Sequence, residues 1–263
     1  MGKLVFIKLY HEGMTERIGL FADLHSNLEA FEACMARAGE LGVTRMVFLG
    51  DLVGYNADPV AVLDRIGDLI EAKKALAVLG NHDAAIFEDY SKRMNKSAWT
   101  AIEWTRSQLS TQHIDFLKNL PLILHEEEIC FTHASAHHPE EWNYITDNLS
   151  AWNCVESANK PYTFVGHVHE QALFYQTAVG KLLRFAPHHS EPVPVWRYRR
   201  WVGIVGSLGQ PRDGIAEACF AIFEPAIESL SFHRVPYDNY TAAEKVRLAG
   251  LPDNLATRLI TGK

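Results

Sequence analysis

A chain of 263 residues, 48% of them hydrophobic and 22% charged, can bury one large core and is too ordinary in composition for a disordered or fibrous protein. Its formal net charge of -7 argues against broad binding to nucleic acid or to an anionic membrane surface, although a local basic patch stays possible. No stretch approaches the roughly eighteen apolar residues of a membrane-spanning helix, and the four cysteines, Cys34, Cys130, Cys154 and Cys219, lack CxxC spacing and read as buried free thiols of a reducing compartment.

Residues 1–13 join no pattern. The apolar run Leu4-Val5-Phe6-Ile7 is short and is stopped by Lys8, so it reads as a non-core extension and not as a signal peptide, with Met14 as an alternative start and the cytoplasm as the expected location. The first strand spans 18–22 and ends at Asp23-Leu24-His25. Ser26, with Glu29 three positions on, reads as the N-cap of a helix whose Leu28, Phe31, Met35 and Ala38 share one face; Gly39 and Gly42 stop it. A second strand over 46–49 runs into Gly50-Asp51. Asp58 as cap and Pro59 at the first helical position open the next helix, striped by Leu63, Ile66 and Ile70. A third strand over 75–79 runs into Gly80-Asn81-His82-Asp83. Short, continuous apolar runs between helices predict a parallel sheet buried on both faces.

A helical section follows over 94–118. After Pro121 the pattern turns to strands: 122–124 and 129–131 leading into His133, 162–165 leading into Gly166-His167-Val168-His169, then 182–185, 195–198, 202–205, 219–223 and 229–232, with a helical tail from Thr241. There is no internal repeat and no flexible linker. A single domain over 1–263 is the economical reading: an α/β half and a more antiparallel half, packed as two sheets with helices outside.

Polar groups gather where the predicted strands end: Asp23, His25, Asp51, Asn81, His82, His133, His167 and His169. Open α/β sheets bind ligands beyond the carboxyl ends of their strands, so these groups can converge on one rim. Carboxylate, imidazole and amide oxygen suit a borderline divalent metal such as manganese, iron, zinc, cobalt or nickel. The absence of thiolate argues against a structural zinc site. Seven ligands are too many for one ion and suit two that share a carboxylate. Asp51, alone in its loop, is the natural bridge. Glycine before Asp51, Asn81 and His167 lets the backbone turn and a metal or phosphate approach. The i, i+2 spacing of Asp23 with His25 and of His167 with His169 places each pair on one side of an extended segment.

Other features carry less. Arg212 reads either as a phosphate-binding group or as half of a surface salt bridge. Tyr55 and Asn56, just past Asp51, are candidate pocket-lining residues. Asp83 follows His82 but need not touch it; the alternative is an N-cap for a helix from Ala84. Trp196-Arg197-Tyr198-Arg199-Arg200-Trp201 has the look of a nucleic-acid patch, but alternation along a strand would split its aromatic and basic residues between two faces, and the structural reading is preferred. His11, His113, His125, His137, His138, His188, His189 and His233 match no motif and read as surface or turn polarity.

The order Asp23-x-His25, Gly50-Asp51, Gly80-Asn81-His82-Asp83, His133, Gly166-His167-x-His169 resembles the calcineurin-like metallophosphoesterase superfamily, over residues 17 to about 215. The resemblance implies a four-layer α/β/β/α sandwich of two mixed sheets flanked by helices, and a dinuclear metal centre. Asp23, His25, Asp51 and His169 would hold the first metal. Asp51, Asn81, His133 and His167 would hold the second, with His82 a non-ligand facing the substrate phosphate. The runs Gly50-Asp51-Leu52-Val53-Gly54-Tyr55 and Gly206-Ser207-Leu208-Gly209-Gln210-Pro211-Arg212-Asp213 look like small prokaryotic phosphodiesterases and phosphatases. Gly54 stands where Ser/Thr protein phosphatases carry an Asp that pairs with the catalytic histidine, and those enzymes lack the GHxH ending; both departures argue against protein phosphatase activity.

The expected reaction is hydrolysis of a phosphodiester or phosphomonoester by hydroxide shared between two divalent ions, with manganese expected to support activity best. A nucleotide or dinucleoside polyphosphate hydrolase on the same centre is one alternative. A scaffold subunit that has lost its metals is another, of a different class, and would show gaps among the ligands; none of the seven is missing here. The expected partner is a small phosphate ester or nucleotide, with no membrane and no nucleic acid. Oligomeric state is not readable.

Overall fold

The computed structural model describes residues 15–263; the extension expected over 1–13 and the alternative start at Met14 lie outside the described residues. Three parallel strands, β1 (Ile18–Phe21), β2 (Arg45–Phe48) and β3 (Ala75–Ala77), alternate with helices α1 (Leu28–Glu40), α2 (Pro59–Glu71) and a single turn, α3 (Asn81–Ala84). Next come α4 (Lys96–Gln108), α5 (Thr111–Lys118), β4 (Ile123–His125), β5 (Ile129–Thr132), α6 (Asn148–Ala158), β6 (Tyr162–Val165), β7 (Gln171–Gln176) and β8 (Leu182–Phe185). The chain closes with β9 (Val193–Pro194), β10 (Trp201–Val205), β11 (Ala218–Glu224), β12 (Ser229–Val235), α7 (Asn239–Leu248) and α8 (Asp253–Thr261).

Two six-stranded mixed sheets result, in the orders β3-β2-β1-β11-β12-β9 and β4-β5-β6-β10-β7-β8. The expected α/β/β/α sandwich is what the chain forms. Period-2 alternation assigns the faces. Ile18 and Leu20 of β1 point between the sheets, into a core with Phe131, Tyr162, Phe164, Phe223 and Phe232. Phe21 points the other way, stacking on Phe220 at 5.3 Å and meeting Phe48 at 5.6 Å under α1 and α2. The Phe164 and Phe223 rings meet across the gap at 5.1 Å, and truncating either to Ala should cost about 3–5 kcal/mol. A third cluster packs α6 on the outer face of the second sheet, and a fourth packs α7 and α8 against α4.

Several local expectations are corrected. The helix after β1 is capped by Asn27, whose Oδ1 accepts from the Ala30 amide at 3.1 Å, and not by Ser26. An N-cap needs extended backbone, and Ser26 is held at φ 57° with its amide donating to the Leu52 carbonyl. Asp58 does stand at the N-cap of α2, before Pro59, but its side chain makes no capping bond; the carboxylate accepts from Lys245 Nζ at 2.9 Å instead. The helical section over 94–118 is two helices, because Leu109 is extended and Ser110 caps α5. Residues 195–198 are not a strand. Trp196 and Tyr198 are exposed there, while Arg197 pairs with Glu228 and Glu128 and Arg200 with Glu156. The structural reading of that run therefore rests on the pairing of two of its three arginines, with Arg199 over the Tyr175 and Tyr198 rings, and not on strand alternation. His233 is buried in β12, its Nε2 2.9 Å from Ser231 Oγ and its ring stacked on Phe220, so surface polarity is the wrong reading for it. Among the described residues, no helix is long and apolar enough to cross a membrane.

Candidate metal centre

The loops leaving β1, β2, β3, β5 and β6 meet on one edge of the sandwich, and backbone bonds continue the ladders beyond the strands. Asp23 N donates to the Gly50 carbonyl at 3.1 Å, His25 N to the Asp51 carbonyl at 2.9 Å, and Gly166 N to the His133 carbonyl at 2.9 Å. The β10–β11 connection joins them: Gly209 N donates to the Asp23 carbonyl at 2.9 Å and Arg212 N to the His169 carbonyl at 3.3 Å. Asp23, His25, Asp51, His167 and His169 all have φ between 48° and 66°. Left-handed backbone at a non-glycine residue costs of order 1–3 kcal/mol, and here the cross-loop bonds sustain it. This corrects the expectation of extended i, i+2 pairs: the side chains are aimed by left-handed turns. Gly50 makes the expected turn, at φ 81°, but Gly80 and Gly166 act differently than expected. A Cβ on Gly80 would lie 2.1 Å from Asp51 N, and one on Gly166 2.4 Å from Ala22 Cβ, so what comes close is the neighbouring ligand loop.

The side chains form linked groups. Asp23, His25 and His169 make one, with His25 Nε2 and His169 Nε2 3.2 Å apart and His169 Nε2 3.3 Å from Asp23 Oδ1. Asp51, His133 and His167 make another, with His133 Nε2 3.0 Å from His167 Nδ1 and 3.1 Å from Asn81 Oδ1. Asp51 Oδ2 lies between them, 3.7 Å from His25 Nε2 and 3.4 Å from His133 Nε2. His82 approaches His25 and Asp51 as a third grouping, and its amide donates to Asp51 Oδ1 at 2.8 Å.

The outer ring nitrogens fix the tautomers. The Nδ1–H of His25 donates to the Val53 carbonyl at 3.2 Å, that of His133 to the Leu49 carbonyl at 2.8 Å, and that of His169 to the Gln210 carbonyl at 2.6 Å. Their Nε2 lone pairs therefore face the centre. Lone pairs about 3 Å apart repel unless a proton or a metal ion sits among them. Burial opposes a proton on His133, but the Asp51 carboxylate outweighs it and lifts this imidazole to about 9. Burial pushes His167 down to about 3, with charge on His133 adding to the effect, and holds His25 well below its usual range. Burial alone would raise Asp51, yet the surrounding imidazoles, His133 first, keep its carboxyl well below the usual carboxylate range.

The sequence profile of the calcineurin-like phosphoesterase superfamily domain matches residues 17–226. The chain belongs to that superfamily. It is 33% identical to an uncharacterized protein of Methanocaldococcus jannaschii over 94% of this chain and 98% of the relative. Among solved structures it is similar to a metallophosphoesterase from Sphaerobacter thermophilus, at 32% identity and a TM-score of 0.81 over 95% of this chain and 100% of that one. A hypothetical protein from Pyrococcus horikoshii shares the fold at a TM-score of 0.77 and 18% identity, over 94% and 98% of the two chains. The resemblance read from the motifs is thus borne out.

Within this calcineurin-like site, Gly54 explains one departure. A Cβ there would lie 2.5 Å from His82 Nδ1, so the histidine ring leaves no room for a side chain at this position, and that Nδ1 has no partner among the described residues. Asp83 neither contacts His82 as an acid partner nor caps a helix from Ala84. It lies inside α3, where its carboxylate accepts from Val53 N at 3.1 Å and Gly80 N at 3.0 Å, tying the Asp51 loop to the Asn81 loop. Burial, with the Asp51 charge next, pushes its carboxyl up to about 8.

Tyr55 reaches the centre, its ring 4.5 Å from that of His25 and 4.3 Å from that of His82. Asn56 is buried beneath, its Nδ2 donating to the His25 carbonyl at 2.8 Å. Arg212 donates to Gln210 Oε1 at 3.0 Å and Tyr55 Oη at 3.3 Å, and no carboxylate of the described residues pairs with it. Two residues escaped sequence reading. Tyr144 stacks on His167 at 4.0 Å, and Trp142 meets the His133 ring edge-on at 5.9 Å. Both sit in an irregular loop with no motif to mark them.

Proposed function

We infer that the protein is a dinuclear-metal phosphoesterase acting on phosphodiester or phosphomonoester bonds. Asp23, His25, Asp51 and His169 hold one ion, and Asp51, Asn81, His133 and His167 the other. The observation that carries this reading is Asp51 Oδ2, set between two groups of converging lone pairs at 3.7 and 3.4 Å from an imidazole of each. The donor set, nitrogen and oxygen without sulfur, fits manganese, iron, zinc, cobalt or nickel, and manganese is the ion we expect to support turnover best. Two such cations supply a water acidified toward neutral pH and positive charge against the phosphoryl oxygens.

The chain's own residues do the rest. Asp51 fixes the spacing of the two halves, and the His82 amide locks the carboxylate's other oxygen at 2.8 Å. His82 is the group placed to hold or deliver a proton at the leaving oxygen. Burial pushes its imidazole down to about 4, with Asp51 opposing, so the negative charge of a bound phosphate is what would draw a proton onto it. Arg212, free of carboxylate partners among the described residues, is positioned for a non-reacting phosphate oxygen. Tyr55 orients it.

A complete set of seven ligands with His82 beside them supports a working hydrolase over a scaffold that has lost its metals. The test is metal analysis of the purified protein with a screen of bis-p-nitrophenyl phosphate against p-nitrophenyl phosphate. Chelation should abolish turnover and manganese should restore it. A preparation that binds no metal under any loading, or that cleaves neither ester when loaded, would overturn the reading.

A further inference from the structure

Tyr144 is 53% exposed, yet its ring lies at 23° to the ring of His167, with centroids 4.0 Å apart. One face is therefore covered by a candidate ligand and the rest is left to solvent. Single exposed aromatics are common and need no explanation. This one is held in place. Trp142, two residues earlier, is buried, and its Nε1–H donates to Tyr90 Oη at 3.0 Å; Ile145, the next residue, is buried in the cluster under α6. Arg93 Nη2 also donates to the Glu141 carbonyl at 3.2 Å. Two buried anchors thus flank an exposed ring and fix it before any ligand arrives, which lowers the ordering cost of stacking. Arg212, bonded to Tyr55 Oη at 3.3 Å, is near enough to Tyr144 to oppose the burial-driven rise of its hydroxyl pKa.

We propose that Tyr144 is a specificity-determining residue: a stacking platform that selects phosphate esters bearing a flat aromatic group, an aryl ring or a nucleobase, over small alkyl esters. This rests on the phosphoesterase reading and names the substrate class of the same site. The phosphate lies over the two ligand groups with Arg212 on one side, and the aromatic group of the ester lies on the open face of Tyr144.

Binding of non-hydrolysable ligands tests this by calorimetry on the manganese-loaded protein. The probes are methylphosphonate, benzylphosphonate and the 5′-methylene phosphonate analogue of adenosine monophosphate. Stacking on one aromatic is typically worth a fold-change of about five to tenfold or more. Tyr144→Ala should weaken both aromatic ligands by about that factor and change methylphosphonate by less than about twofold, while Tyr144→Phe should retain wild-type affinity. Whichever aromatic ligand loses more identifies an aryl or a nucleoside source. Equal weakening of all three probes, no weakening of any, or loss of bound metal in Tyr144→Ala would overturn the proposal, the last by showing that the ring only props His167. If the loaded wild-type protein binds none of the probes, the phosphoesterase reading falls first and this proposal with it.

Discussion

The two halves of the centre are built to different standards of rigidity. Around Asp23, His25 and His169, both imidazoles are pinned from behind by backbone carbonyls, Val53 for His25 and Gln210 for His169, and all three side chains are fully or almost fully buried. Around Asp51, Asn81, His133 and His167, only His133 is pinned that way, by Leu49. His167 turns Nδ1 inward, its Nε2 has no partner among the described residues, and its ring lies under the exposed Tyr144. Pinning an outer nitrogen fixes the tautomer and orientation of the inner one. The first half is therefore fixed at both of its imidazoles, and the second at only one of its two, with an exposed aromatic over the other.

The largest effect should come at the atom common to both halves. Asp51→Asn removes the shared charge, and elemental analysis should find fewer than one metal per chain, with no detectable turnover of bis-p-nitrophenyl phosphate. Two metals retained would remove the bridge from this description. Next, His82→Ala should lower turnover by about 10²–10⁴-fold with both metals kept, because it removes only the proton-handling group; near-normal turnover would break that assignment. The comparison of halves is sharpened by His25→Ala against His167→Ala. Each should lose one metal equivalent, but the first should also lose about 1–3 kcal/mol more stability in urea, since the Val53 carbonyl is left buried without its donor. Equal losses would mean that the halves are equally rigid.

The smallest effect lies away from both halves. Burial, helped by Arg37, pushes His233 down to about 4 from a usual 6.5, so the folded protein keeps it neutral. As pH falls through about 6.5 the unfolded chain takes up a proton that the native state refuses until about pH 4. Its contribution to stability is thus full above 6.5 and shrinks as pH drops toward 4. Urea midpoints at pH 7 and pH 5 should converge in His233→Gln relative to wild type. An unchanged difference would assign the slope to the metal-centre histidines instead.

Much of the site could be read from the sequence because its residues stand at strand ends. The apolar runs before Asp23, Asp51, Asn81, His133 and His167 are legible by composition, and the sheet carries whatever follows them to one edge. Loop conformation was not legible. Ser26 has every feature of a cap, yet the Asp51 loop pulls it into a left-handed turn and Asn27 takes the role. Residues 195–198 have strand composition but form a turn held by ion pairs to Glu128 and Glu228. Tyr144 carries no signal, since its importance lies in a ring stacked at 23° on that of His167, to which no sequence motif links it.

By itself the sequence determined the parallel core, the identity and order of seven candidate metal ligands, and the family. Those depend on periodicity and residue type, which are local properties. Only the tertiary structure decided which nitrogen of each imidazole faces the centre, which backbone groups hold the candidate ligands in place, and which aromatic stands over His167. Each of these is set by a bond between distant segments, such as Gly209 N to the Asp23 carbonyl or His169 Nδ1 to the Gln210 carbonyl, and no window of neighbouring residues contains both ends.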